Sequence, residues 1–437
     1  LGTVFRVAVS VGDTVREHQE ILIIESMKME HPVEAGVDGV VSAVHVKEGD
    51  TITAGQVLLT ITPGHVSANN VDIDNTTPDN HQRADLARYN ERRRLTTDEA
   101  RPEAVARRRS KGQRTARENI ADLLDEGSFV EYGSFAVAAQ RKRRSLDDLI
   151  ANTPADGLVG GIGTINADVH PGDASRVVVA SYDYTVLAGT QGYLNHRKKD
   201  RLFDVAERLR TPVILFAEGG GGRPGDTDSP GVAGLDCLAF AYFAQLSGLV
   251  PLVGITSGYC FAGNAALLGC CDVVIATENS NIGMAGPAMI EGGGLGVVAP
   301  TDIGPIDVQT NNGVVDVRVA NEEEAVAVAK KYLSYFQGAT STFERHPDDL
   351  MRGLIPEQRT RVYDIRSVIE ALADIGSALE LRPTFGIGIL TTLMRIEGKP
   401  VGVIANNPAH LGGAIDSDAA DKAARFIQLC DAYDIPI

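Results

Sequence analysis

Cysteine is scarce in this 437-residue sequence. The five present, Cys237, Cys260, Cys270, Cys271 and Cys430, include no CxxC and no zinc-like spacing with histidine. That pattern argues against a disulfide framework or a structural zinc site, and predicts buried, reduced thiols in a cytoplasmic protein. The nine histidines form no HExxH, so no metal site is expected. Basic residues are also short, 41 against 58 acidic, for a net charge of −17. This balance argues against nucleic acid or an anionic membrane as the main partner. No apolar run reaches the roughly 18–20 residues of a membrane helix. No glycine run is followed by Lys-Ser/Thr, and no GxGxxG opens a βαβ unit, so a phosphate loop is missing too. Glycine, by contrast, is plentiful at 46 residues beside 43% hydrophobic content, which suits β and α/β modules with many turns. The length predicts two or three domains.

The first 62 residues contain an internal repeat. Residues 2–24 (GTVFRVAVSVGDTVREHQEILII) return as 39–61 (GVVSAVHVKEGDTITAGQVLLTI), with Gly2/Gly39, Gly12/Gly49, Asp13/Asp50, Gln19/Gln56 and Leu22/Leu59 in register. Short β-branched runs around a Gly-Asp turn read as strands. Two copies that cannot bury a face alone should pack on each other as an all-β flattened sandwich. Just after the first copy, where the chain must turn back, stands Glu25-Ser26-Met27-Lys28-Met29-Glu30. Methionines at alternate positions usually fill a core edge. Here they flank a primary amine held out at a hairpin tip.

This segment resembles the biotinyl (biotin carboxyl carrier) domain, whose hairpin lysine takes biotin in an amide bond. The resemblance covers residues 1–62. The family more often has Ala-Met-Lys-Met, so Ser26 is a mild departure, and the related lipoyl domain usually lacks methionine on both sides of the lysine. The resemblance makes Lys28 the site of covalent biotin and implies a biotin protein ligase as partner. The chain enters the first repeat at once and stops as a new strand begins, so an internal piece of a longer polypeptide is expected.

Residues 63–80 are polar and without periodicity, a flexible linker that could span up to ~60 Å. Residues 81–125 form a charged helical region with Arg92-Arg93-Arg94 and Arg107-Arg108-Arg109. Such runs are usually a solvated helix face; the alternative is a patch for the phosphates of an anionic substrate. From Leu158 strands and helices alternate: LVGGIGTI, RVVVASYDYTVL, a helix over 192–210, the buried strand PVILFA, a helix over 232–248, LVGITS and DVVIAT. Two strands run into glycine turns, Glu218-Gly219-Gly220-Gly221-Gly222-Arg223 and Gly258 to Ala266. This is an α/β pattern with ligands at the strand ends. Backbone N–H groups unobstructed by Cβ suit a developing oxyanion, though tight packing turns would also need the glycines.

Residues 81–437 are similar to the carboxyltransferase of acyl-CoA carboxylases, a crotonase-like fold. Lys111–Glu118, Leu124–Glu131, Tyr184-Thr185-Val186 with Gly189 and Gly192, the Gly219–Arg223 turn, Ala262-Gly263-Asn264-Ala265, Gly286-Pro287, Tyr363–Arg366 and Val401–Asn407 carry the likeness in family order. Typical members have Asp-Ser-Gly-Gly-Ala-Arg and Ala-Gly-Gly-Ala where this chain has Glu218–Arg223 and Ala262–Ala265, so fine geometry and substrate choice differ. Carrier and transferase on one chain resemble the single-chain, multidomain acyl-CoA carboxylases, including long-chain types.

The likeness implies carboxyl transfer from biotin on Lys28 to the α-carbon of an acyl-CoA through a thioester enolate. It implies enolate donors at the N–H groups of Gly263 and Asn264, with Gly220, Gly221, Gly222 and Ala262 lining the pocket. Coenzyme A would meet Lys198, Lys111, Arg114 and Arg117, and His196 would be helix surface rather than a catalytic base. Residues 81–355 would be the first crotonase-like domain and 356–437 the start of the second. A homo-oligomer, a hexamer built from dimers, is implied. ATP, magnesium and bicarbonate would be used only by a biotin carboxylase domain or subunit. Competing readings are a biotin-dependent decarboxylase or transcarboxylase, a hydratase-like enzyme and an inactive biotinylated scaffold. Hydration needs paired carboxylates, and only Glu218 stands beside a glycine turn.

Overall fold

The computed structural model describes residues 1–64, 83–228 and 237–437. It divides into two compact units, Leu1–Gln82 and Arg83–Ile437. The linker expected over 63–80 lies almost wholly outside the described residues. So does part of the helix expected over 232–248, of which Ala239–Gln245 is helical.

The first unit holds β1 (Gly2–Val7), β2 (Thr14–Val15), β3 (Glu20–Ser26), β4 (Met29–Glu34), β5 (Gly39–Val44), β6 (Thr51–Ile52) and β7 (Leu59–Pro63). They form two sheets, β4-β3-β1-β6 and β2-β5-β7. The repeat is written into the pairing: β6 of the second copy lies on β1, and β2 of the first lies on β5. The register breaks at Phe5 in β1 and at its counterpart Ser42 in β5, so both strands bulge at the same step. Asp13 accepts from the Ser10 N–H at 2.7 Å and Asp50 from the Lys47 N–H at 3.0 Å. Those turns place Gly12 and Gly49 at φ 97° and 90°, which disfavours any side chain there. Val9, Val15 and Ile21 pack with Val41 of the other copy, while Val4 and Leu22 pack with Val46 and Ile52. Neither copy buries its own face, which is the flattened sandwich the repeat implied.

In the second unit a seven-stranded sheet runs β16-β14-β12-β11-β10-β9-β8. Its strands are β8 (Val130–Glu131), β9 (Leu158–Thr164), β10 (Arg176–Tyr182), β11 (Val213–Phe216), β12 (Leu252–Thr256), β14 (Val273–Thr277) and β16 (Val317–Val319). A small parallel pair, β13 (Tyr259–Phe261) and β15 (Asn281–Gly283), stands beside it. From β10 to β16 all neighbours are parallel, while β9 and β8 add antiparallel edges. Because side chains alternate across a strand, Val177, Val179, Ile214, Val253 and Ile275 face one core, and Val178, Val213, Leu215, Leu252 and Val274 face the other. Both faces are covered, which is why these strands read as continuous apolar runs. One cover is the Tyr193–Leu209 helix with Leu202 and Phe203; the other includes the Ala116–Leu123 and Glu322–Ser334 helices. The chain ends in an antiparallel sheet of β17 (Leu379–Leu381), β18 (Ile389–Ile396) and β19 (Lys399–Asn406), and in the Ser417–Ala432 helix. Leu379, Leu393, Phe426 and Leu429 share the core of Ile275 and Tyr332, so packing runs unbroken past residue 355.

Candidate functional site

Strands β3 and β4 pair from Glu20↔Glu34 to Ser26↔Met29, leaving Met27 and Lys28 as a two-residue turn. Two-residue hairpin loops match strand twist when both residues have positive φ, normally Asn-Gly. Met27 at φ 53° and Lys28 at 66° adopt that shape although neither is glycine. Met27 is 95% exposed, Met29 64%, and Lys28 is exposed between them. An L-residue pair held in a conformation that costs free energy, with apolar thioethers in water, is a tip built for something other than stability. The amine is unobstructed and fits a covalently carried group.

The two glycine turns follow β11 and β12. These strands are adjacent and parallel, so both turns emerge at one sheet edge. They are stitched together: the Gly219 N–H donates to Tyr259 O at 2.7 Å, and the Phe261 N–H donates to Gly219 O at 2.9 Å. A Cβ on Gly221 would sit 2.7 Å from the Ala262 Cβ and 3.4 Å from the Gly263 nitrogen. Ala262 itself has φ 52° and ψ −123°, a strained geometry that turns the chain into the Gly263–Gly269 helix. The N–H groups of Gly263 and Asn264 open that helix and take no backbone acceptor among the described residues. All six turn residues expected at the pocket, Gly220, Gly221, Gly222, Ala262, Gly263 and Asn264, therefore belong to these two joined turns.

The Asn264 side chain, where the family usually has glycine, is fully buried. It donates to Glu218 O at 2.7 Å and Gly189 O at 3.1 Å and accepts from Gln191 Nε2 at 2.8 Å. Arg223 is bound to Asp156 at 2.5 Å and to Thr190 O at 2.8 Å, closing the far side of the first turn. Glu218 is held bidentate by Arg108 at 2.5 and 2.6 Å, with Glu322 also 3.9 Å from that guanidinium. Burial, with Glu322 and Asp183 nearby, pushes Glu218 up to about 7 against the pull of Arg108.

The expected coenzyme A cations separate sharply. Lys198 lies inside the fold, donating to Ala155 O at 3.1 Å and to Leu158 O, and burial lowers its pKa to about 8. Arg114 binds Asp122 at 2.8 Å, and Arg117 binds Glu131 bidentate at 3.0 Å. All three are thus engaged by partners within the chain. Lys111 stays exposed on the rim of an open cleft of about 450 Å³, which Glu218, Gly258 and Tyr259 also line. The arginine triplets resolve the same way. Arg92 donates to Phe135 O, Arg94 pairs with Glu91 and Arg109 with Glu118, while Arg108 points inward to Glu218. His196 is not plain helix surface. Its Nδ1 is 3.1 Å from Cys237 Sγ, and burial with Lys199 and Arg223 nearby lowers it to about 3, so it is neutral. No disulfide and no metal-holding cluster occurs among the described residues, and no helix among them is long and apolar enough to cross a membrane.

The chain thus joins a β-sandwich with a lysine at a strained hairpin tip to an α/β unit whose two joined glycine turns leave backbone N–H groups open at one sheet edge. Residues 107–437 match the carboxyl transferase domain family and residues 1–61 the biotin-requiring enzyme family; the chain belongs to the carboxyl transferase family and carries a biotin-requiring domain ahead of it. It is 33% identical to the putative propionyl-CoA carboxylase beta chain of Bacillus subtilis (strain 168), over 77% of this chain and 64% of that one. The structure of a single-chain, multi-domain long-chain acyl-CoA carboxylase matches with 53% identity and a TM-score of 0.80, covering 100% of this chain and 41% of that one. The transcarboxylase 12S subunit, crystallised as a hexamer, matches with 28% identity and a TM-score of 0.69, over 82% of this chain and 69% of that one. The fold is the crotonase-like carboxyltransferase fold. The chain spans under two thirds of the length of the Bacillus subtilis relative.

Proposed function

We propose that this chain is the carrier and carboxyl-transfer part of a biotin-dependent acyl-CoA carboxylase. The observation that carries the reading is that one chain holds both Lys28 on its strained tip and, in its other unit, two glycine turns joined at Gly221 and Ala262. Lys28 would hold biotin in an amide bond, and the bound group supplies the transferable carboxyl and the base for the acyl α-proton. The chain itself needs no side-chain nucleophile. Gly263 and Asn264 present preorganised N–H groups to the thioester oxygen, which gains charge as the enolate forms. The bare Gly220–Gly222 backbone lets the thioester approach them. Lys111 at the cleft rim offers a cation to the coenzyme A phosphates.

A biotin carboxylase domain or subunit and a biotin protein ligase are the partners this chemistry requires. The likeness to the hexameric 12S subunit supports a homo-oligomer. The buried thiols of Cys260, Cys271 and Cys430 support the cytoplasm as compartment.

The test is intact mass with avidin capture on protein from its host, followed by carboxylation of acyl-CoAs from acetyl to long-chain. Biotin lost in Lys28→Arg, together with ATP- and bicarbonate-dependent carboxylation, supports the reading and identifies the acyl group. Biotin without carboxylation of any acyl-CoA turns it toward the decarboxylase or the scaffold. A chain that is never biotinylated overturns it.

A further inference from the structure

Beneath the two glycine turns lies a buried lysine that the reaction does not use. Lys199, on the Tyr193–Leu209 helix, is 0% exposed. Its Nζ donates to the Tyr182 hydroxyl at 2.8 Å and to Gln191 Oε1 at 2.9 Å. No carboxylate oxygen of the described residues comes within 4.0 Å of it. Burying a cation with neutral partners is expensive and calls for a purpose.

The purpose is directional. In its protonated form Lys199 only donates, and the Gln191 carboxamide turns its oxygen toward it. Its nitrogen then faces the other way and donates to Asn264 Oδ1 at 2.8 Å. That in turn commits Asn264 Nδ2 to the two carbonyls it holds, Glu218 O at 2.7 Å and Gly189 O at 3.1 Å. Two amides that could each flip are thus set in series by one lysine. The end of the series ties the first glycine turn to the helix that carries Gly263 and Asn264. The Gln191 backbone adds to the same joint, its N–H donating to Gly221 O at 2.7 Å and its carbonyl accepting from the Arg223 N–H at 3.0 Å.

We propose that Lys199 is a positioning residue for carboxyl transfer: acting through Gln191 and the Asn264 carboxamide, it holds the two glycine turns in the register that aims the Gly263 and Asn264 N–H groups. The inference rests on the proposed carboxyltransferase reading for its catalytic consequence, and on the hydrogen-bond geometry alone for its structural one.

The experiment compares full-length Lys199→Met, Gln191→Glu and Asn264→Asp with wild type. Glutamate at 191 cannot donate to Asn264, and aspartate at 264 cannot donate to either carbonyl. Turnover is measured with the best acyl-CoA of the acetyl-to-long-chain panel. The kcat should fall on the order of 10²-fold in each variant while KM moves little, because a misplacement of about 1 Å has that effect. The double variant Lys199→Met/Asn264→Asp should be no worse than the poorer single variant, since residues acting as one series are not additive. Multiplying effects, or a change in KM alone, overturn the proposal. Hydrogen exchange by mass spectrometry on peptides holding Gly219, Phe261 and Arg223 reads the joint without any activity. Protection there should drop about tenfold in Lys199→Met, a loss of ~1.4 kcal/mol, and unchanged protection overturns the proposal even if wild type carboxylates nothing. A wild type with no turnover but the expected exchange would overturn the function and leave the joint standing.

Discussion

Replacing Gly221 with alanine probes the joint between the glycine turns most directly. The new methyl would lie 2.7 Å from the Ala262 Cβ, against a comfortable carbon–carbon separation of about 3.5–4.0 Å. Ala262 cannot swing aside, because its Cβ is fixed to a backbone already at φ 52°. The turns must therefore part by about 1 Å. Gly221 also has φ 85°, which costs an L-residue about 1–2 kcal/mol. With overpacking of about 1–3 kcal/mol, the expected loss of stability is about 2–5 kcal/mol. The same displacement at the Gly263 nitrogen should reduce carboxyl transfer on the order of 10²-fold. The neighbours are the controls: a Cβ on Gly222 meets nothing within 4 Å, and one on Gly220 meets only Thr190 Cγ2 at 3.6 Å, with no positive φ at either. Each alanine there should change stability by less than about 0.5 kcal/mol. Urea midpoints and turnover are measured on all three variants. Wild-type behaviour of Gly221→Ala, or equal unfolding damage from Gly222→Ala, would refute the claim that contact between the turns sets the site.

Three further outcomes are expected. Gly263→Pro removes one N–H and should abolish carboxyl transfer while avidin still captures the chain through Lys28, whereas unchanged turnover would dismiss Gly263 as an enolate donor. Arg108→Met removes the partner of Glu218 beside Glu322 and should lower stability by about 3–5 kcal/mol at pH 9, where wild-type Glu218 is ionised, and by less at pH 5, where burial keeps Glu218 protonated in both proteins; the urea midpoint at both pH values checks this. Lys199 carries a pKa lowered to about 7 by burial, against an ordinary 10.5, although Cys237, Asp200 and Asp156 favour its charge. A depressed amine binds its proton more weakly in the folded chain, so its contribution to stability falls as pH drops from about 10 toward 7. Wild type should therefore gain on Lys199→Met as pH rises from 7 to 9, by at most about 1.4 kcal/mol per unit, and parallel pH curves would contradict a buried, titrating Lys199.

Much of this architecture was open to reading from local pattern. The repeat over residues 2–61 returned as two sheets with bulges at equivalent steps, because period-2 alternation and Gly-Asp turns are local properties of the chain. The parallel strands showed as apolar runs because helices or other strands cover both faces of the sheet. The Thr115–Glu118 capping box, with bonds of 2.7 and 3.1 Å, is a local signal that marks the start of the Ala116–Leu123 helix. The cations were the harder part. Lys198, Arg114 and Arg117 carry the same charge as Lys111, and sequence periodicity does not say whether a carbonyl or carboxylate waits opposite each one. Arg108 meets Glu218 across 110 residues, a separation no local pattern spans.

Sequence by itself determined the hairpin lysine, the two glycine turns and the order of the β unit and the α/β unit, since each depends on residue type and short spacing. Only the tertiary structure decided what those turns become. Parallel pairing of β11 and β12 sets them side by side, Ala262 strains to meet Gly221, and the Asn264 side chain ties the second turn to the first through Glu218 O, with Gly189 O as its other acceptor. It also decided which basic residues face inward, because a charge is buried where the fold supplies hydrogen-bond acceptors for it and left in water where it does not.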